Sequence, residues 1–214
     1  MRYVVILCCA MLSQSIWAQP VERPLWSVGD TWTYRNTQLP HWSSSRTVVS
    51  QFAMRVDRVN SDHYVLFRTE MDEQGNVTAE PVRQRWSPGL NRLSYMQADK
   101  KWQEFFRYKW PMQPGEEWKA PYIGSDYNTE WTVEATRWED VTVPAGTFRA
   151  LRIELSRTEA GGRRAVKREW HWYSPEVKRD VRFEEKGATT SYVYNHRVEE
   201  LIRYSPAAQQ PDTA

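Results

Sequence analysis

Cysteine is missing from all but the opening of this chain. Of 214 residues only Cys8 and Cys9 are cysteines, and both fall within MRYVVILCCAMLSQSIWAQP, a stretch built like a secretory leader. It carries one cation at Arg2, an apolar run from Val4 to Leu12 that is too short to cross a bilayer, and the small Ala18 ahead of Gln19. Cleavage is expected after Ala18. A lipid-anchored form would need a cysteine just behind a small residue at the end of the apolar run, whereas Cys8 follows Leu7 inside it. The expected mature chain is therefore soluble and cysteine-free, with no disulfide and no thiolate metal site.

Other absences are as informative. Removing residues 1–18 takes away Arg2 alone, leaving 28 Lys+Arg (29 less one) against 27 Asp+Glu, so the balance gives no case for nucleic acid or an anionic membrane as partner. No later run is apolar enough to span a membrane, and no apolar pattern at 3.6-residue spacing is long enough to demand a helix. The four histidines, at 41, 63, 171 and 196, show no metal-binding grouping. His171 reads as a solvated strand residue. Glu116-Glu117, Glu139-Asp140 and Glu184-Glu185 are adjacent pairs, which point to opposite faces of a strand. Ser87 and Ser174 sit in Ser-Pro corners, and there is neither a G-x-S-x-G elbow nor a phosphate-binding glycine loop. No catalytic residue, cofactor or metal is expected, and the reading is of a non-enzymatic protein.

Tryptophan and tyrosine stand where leucine and isoleucine usually do: 12 Trp and 11 Tyr. Aromatic residues favour strands, and the pattern alternates with period two. Strands are expected at 31–36, 46–59, 62–72, 77–86, 90–98, 102–110 and 129–138, then in a hairpin spanning 141–177, and at 177–186 and 189–204. An irregular crossing covers 111–128. The expectation is one all-β domain over 19–204, an antiparallel meander of about ten strands forming a barrel or open half-barrel, with a disordered tail at 205–214. Domains of roughly 200 residues are common among barrels and sandwiches.

The hairpin turns at Gly161-Gly162, and a two-residue turn there pairs Leu151 with Trp172, Ile153 with Trp170 and Leu155 with Arg168. That register faces Leu151, Ile153, Trp170 and Trp172 inward and puts His171 on a wet face, at the expense of setting Glu154 opposite Glu169. An echo at an offset of 86 relates Gly29, Trp32, Gly75 and Trp86 to Gly115, Trp118, Gly161 and Trp172, which suggests two half-repeats, 29–98 and 115–204. With a two-residue turn at Gly75-Asn76, Val65 would pair with Trp86 and Phe67 with Gln84.

VTVPAGTF at 141–148, followed by RALRIE and by WYSPEV at 172–177, together with VGDTWTY at 28–34, resembles the DUF3108-like or TapB-like families, exported bacterial proteins of unknown function. The likeness spans most of the mature chain and rests on turning motifs. Where those families place glycines after the corner, this sequence has Glu176-Val177-Lys178-Arg179. The resemblance implies an antiparallel barrel or half-barrel of the kind seen in periplasmic lipoprotein carriers, and no established activity.

These observations lead to the expectation of a periplasmic or secreted protein that holds an apolar or amphipathic ligand, such as a lipid or acyl chain, inside a curled sheet. A carbohydrate-binding module using exposed Trp is the alternative, and a component of an envelope assembly that binds a protein partner is another. Trp42, Trp102 and Trp110, near loops or strand ends, and Tyr192 and Tyr194, sharing a face of the last strand, are the candidate ligand-binding residues.

Overall fold

Alternation of large apolar and polar residues, interrupted every ten or so positions by Gly, Pro, Asn and Asp, yields strands and turns and no helix among the described residues. The computed structural model describes residues 20–40, 46–96, 101–121, 130–159, 165–188 and 193–208. In chain order the strands are β1 (Thr31–Gln38), β2 (Val48–Val59), β3 (Tyr64–Met71), β4 (Val82–Trp86), β5 (Arg92–Met96) and β6 (Lys101–Glu104), then β7 (Glu116–Pro121), β8 (Glu130–Val143), β9 (Gly146–Glu159), β10 (Ala165–Ser174), β11 (Arg179–Ala188) and β12 (Val193–Ser205). They form one antiparallel sheet in the order β6-β5-β4-β3-β2-β1-β12-β11-β10-β9-β8-β7. Two six-strand meanders meet where β1 pairs with β12, and β6 and β7 remain unpaired ends, so the sheet is open rather than a closed barrel.

The expected crossing at 111–128 contains strand β7, and the segments around 129–138 and 141 are one long strand, β8, bulged between Ala135 and Arg137. The VPAG turn behaves as its residues dictate. Val143 pairs with Gly146, so Pro144 and Ala145 form a two-residue turn, Gly146 takes a φ of 137°, and Phe148 re-enters the sheet opposite Val141. At the first long hairpin Asp72 organises the turn by accepting from the backbone N–H of Gln74 (3.0 Å) and Asn76 (2.8 Å).

Both proposed hairpin registers are corrected by one residue. In β3–β4, Tyr64 pairs with Trp86 and Leu66 with Gln84, so Tyr64 and Leu66, rather than Phe67, join the core. In β9–β10, His171 pairs with Ile153, Tyr173 with Leu151 and Glu169 with Leu155. The last pair is Glu159 with Ala165, so five residues rather than two separate the strands, and Gly161 and Gly162 lie outside the described residues. One step of register moves every side chain of a strand to the other face. Leu151, Ile153 and Leu155 stay inside as expected, while β10 turns over.

The sheet curls, and its concave side is filled by aromatic rings. Trp32 is fully buried and Trp26 nearly so. The lead-in carrying Trp26 crosses the concave side. Val21 bridges Met112, the Trp26 ring packs 5.2–5.8 Å from those of Trp32, Tyr64 and Trp86, and its indole N–H donates to the Lys178 carbonyl at 3.0 Å. Burying such rings with their N–H bonded is how a core poor in Leu and Ile gains its hydrophobic stabilisation. At the far end, β12 continues through Ser205, and the Ala207 N–H donates to Asp30 Oδ1 at 2.8 Å. Residues 209–214 lie outside the described residues.

Candidate functional site

Because β10 is turned over, polar side chains face the inside of the curl. His171 is 1% exposed, and its Nδ1 lies 2.8 Å from Asp180 Oδ2 and its Nε2 3.3 Å from Glu169 Oε2. A ring carrying both protons donates to both carboxylates. Asp180, from β11, also accepts from the Tyr108 hydroxyl at 2.7 Å, and its backbone carbonyl accepts from the Tyr34 hydroxyl at 2.8 Å. Tyr108 sits on the segment after β6, which Asn91 holds in place: its Oδ1 accepts from the Tyr108 N–H (2.8 Å) while its Nδ2 donates to the Tyr108 carbonyl (3.0 Å).

Electrostatics follow from this enclosure. Burial alone would raise the carboxyls of Asp180 and Glu169, but neighbouring charge and hydrogen bonds outweigh it. For Asp180 these are the charge and hydrogen bond of His171, then the charge of Arg107 and the Tyr108 hydroxyl, and its pKa is lowered. For Glu169 the hydrogen bond from His171 and the charges of Arg107, His171 and Lys167 hold the pKa at about 2. Burial pushes the Tyr34 and Tyr108 hydroxyls far up, so both remain protonated donors.

Above this network is a cavity of about 190 Å³. Five guanidinium groups line it, from Arg68, Arg92, Arg107, Arg179 and Arg197, against two carboxylates, Asp180 and Glu199. Some of this charge is spoken for. Arg68 pairs with Glu70 at 2.5 Å, Arg197 with Glu185 at 2.9 Å, and Arg107 lies 3.9 Å from Glu169. Arg179 is different: no carboxylate pairs with it among the described residues. Its guanidinium lies 4.7–5.5 Å from the ring centres of Trp26, Trp32 and Trp86, and its Nη1 is buried without a hydrogen-bond acceptor. Arg92 likewise has no ion pair there, and burial followed by the like charges of Arg68 and Arg107 lowers its pKa. A buried donor with no acceptor is rare in folded proteins and costly. A cluster of cations facing one small space is a site for an anionic group.

Of the candidate residues named from sequence, Trp102 and Trp110 do not line this cavity. Trp102 is 47% exposed on β6, with the Arg85 guanidinium 4.9 Å over its ring. Trp110 is half-buried and structural, its indole N–H donating to the Gly89 carbonyl at 2.7 Å and its ring against Tyr108 and Tyr173. Trp42 and Tyr192 lie outside the described residues, and Tyr194 is described only as part of the β12 backbone. His171, Asp180 and Arg179 were missed. The signal available was the Glu154–Glu169 apposition that the two-residue turn required. In the structure Glu154 faces Trp170 instead and accepts from its indole N–H at 3.2 Å. Trp172 lies on the opposite face of β10 from His171 yet is buried at 9% exposure as part of the core cluster, covered by Arg152 and Arg182 and donating to Glu139 Oε1 at 2.5 Å.

Among the described residues no group of three or more His, Cys, Asp or Glu could hold a metal ion, and no helix is long and apolar enough to cross a membrane. No family model and no curated protein matches the chain, so the DUF3108-like likeness stands as a resemblance of motifs. Two solved structures are similar in fold. One, a lipoprotein candidate from Parabacteroides distasonis, aligns with a TM-score of 0.52 at 13% identity over 87% of this chain and all of its own. The other, from Bacteroides fragilis, is described as a candidate exported protein with a YmcC-like fold, and aligns with a TM-score of 0.49 at 17% identity over the same shares.

Proposed function

We propose that this chain is an exported, non-enzymatic binding protein whose ligand presents an anionic group, of phosphate or carboxylate size, to the arginines inside the curled sheet. Export is supported by the leader-like anatomy of residues 1–18 and by the lipoprotein description of the fold neighbour from Parabacteroides distasonis. The observation that carries the ligand reading is Arg179, held among three indoles with a buried Nη1 lacking an acceptor beside a cavity lined by four more arginines. The ligand is still inside the curl, as the sequence suggested, but its chemistry shifts. At about 190 Å³ the cavity is smaller than the roughly 300–1,000 Å³ that takes a drug-sized ligand, and a charged lining rejects an acyl chain.

Isothermal titration with inorganic phosphate, sulfate and acetate at low ionic strength tests this. Saturable binding of at least one anion is expected, weakened roughly 10- to 100-fold in Arg179→Met, the range of one charge-assisted hydrogen bond. Arg92→Met, at an exposed position, serves as the variant whose folding is not in question and weakens binding in the same direction. Absence of saturable binding, or unchanged affinity in both variants, overturns the reading.

A further inference from the structure

A second opening lies beside the cavity. β4 and β5 share only two residue pairs, Arg85 with Leu93 and Trp86 with Arg92. Beyond them β4 continues on β3 alone, through Leu66 with Gln84, Phe67 with Arg83 and Arg68 with Val82, and β5 continues on β6 alone, through Ser94 with Gln103 and Tyr95 with Trp102. The sheet therefore splits between two strands that stay attached at one end. The split encloses about 540 Å³.

Successive side chains of a strand point to opposite faces. Gln84 and Val82 share the parity of Trp86, which is buried in the curl, and Arg92 is paired with Trp86 and shares its face. Arg85, Leu93 and Trp102 belong to the other face. All of these except Trp86 line the split, so residues of both faces border it. Gln84 and Arg92 also line the arginine cavity, so the two spaces adjoin at these two side chains. Apolar surface borders the split on both faces, beside Arg83, Arg85 and Ser94: Val82, on the curl side, is 56% exposed and Trp102, on the other side, 47%, with the half-buried Leu93 between the strands.

From this geometry we infer that the split between β4 and β5 seats the single alkyl chain of an anionic amphiphile whose head lies on the cavity arginines. The inference rests on the anion reading above and adds the class of ligand. An alkyl chain matches the apolar surface of Val82, Leu93 and Trp102, and the shared Gln84 and Arg92 set its charged end beside the cavity arginines. Arg85, stacked over Trp102, lies beside the chain's path and favours the same sign of charge.

Methyl, butyl and octyl phosphate, all soluble, separate the two claims by calorimetry on the mature protein. Each fully buried methylene contributes ~0.8 kcal/mol, about fourfold in Kd, so the octyl ester should bind at least a hundredfold more tightly than the methyl ester if about half the added methylenes are buried. Trp102→Ala and Val82→Ser, both at exposed positions, should each shrink the octyl-to-methyl ratio at least threefold. Equal affinity for all three esters, with phosphate still bound, overturns the chain site and leaves the anion reading standing. Failure of every phosphate to bind overturns both. An octyl gain that neither variant diminishes places the chain elsewhere and overturns the site.

Discussion

His171 joins two buried carboxylates. Truncating it to Ala leaves Asp180 and Glu169 without the ring they share, and removing one member of a buried charged pair typically costs about 3–5 kcal/mol. His171→Ala should therefore lower the melting temperature by many degrees, which a circular dichroism melt reads directly. The same network sets an acid limit. The folded-state pKa of Glu169 is depressed to about 2 and that of Asp180 is lowered as well. Depressed carboxyls contribute stability above their unfolded pKa, about 4, and lose it as pH falls through the folded value. Stability is expected to fall between about pH 4.5 and pH 2, with Glu169 contributing on the order of 3 kcal/mol. Melts across this range should show a shallower slope in Glu169→Gln.

At the scale of elements, the segment following β6 delivers Arg107 to the cavity and Tyr108 to Asp180, and it has no strand partner of its own. Its position depends on Asn91, which is 2% exposed and makes paired hydrogen bonds with the Tyr108 backbone. Asn91 also donates to Glu104 Oε1 at 2.9 Å, the same oxygen that accepts from the Ser87 hydroxyl at 2.5 Å. Asn91→Ala removes a donor and an acceptor from a buried site, for a loss of roughly 2–4 kcal/mol. Because the loosened segment carries Arg107, phosphate affinity should fall with stability, as titration and melting of this one variant will show. A variant that melts early yet binds phosphate with unchanged affinity would separate the clamp from the site.

For the whole molecule, the open sheet closes its concave side with its own lead-in and with the 105–115 segment. Trp26, Trp32, Trp86 and Tyr173 pack as one continuous core drawn from both six-strand meanders. Nothing in that core divides at the β1–β12 junction: Trp32 of the first meander donates to the Val177 carbonyl of the second at 2.7 Å, and Trp26 to the Lys178 carbonyl. Unfolding should be one cooperative transition. Fragments 20–112 and 113–208, expressed separately, should lack a cooperative melt even though each holds a complete meander, because each alone exposes half of a shared apolar face.

Alternation at period two settled the class of fold, since Phe52, Met54 and Val56 on β2 or Leu151, Ile153 and Leu155 on β9 can bury one face only as strands. The VPAG turn was equally local, because Pro144 and Gly146 restrict their own backbone. Which face of β10 turns inward was not local. Trp170 and Trp172 match Leu151 and Ile153 as well by sequence as His171 and Tyr173 do, and the choice between them is one step of register, set by an odd rather than an even number of residues in the loop. Only the tertiary structure decided it: Asp180 on β11, Tyr108 on the segment after β6 and Arg107 beside it make a buried His171 satisfiable, while Glu139, Arg152 and Arg182 cover Trp172 on the opposite face. The arginine cavity follows from that decision. Its five arginines come from five separate stretches of chain, and no spacing within any one of them reveals that they meet.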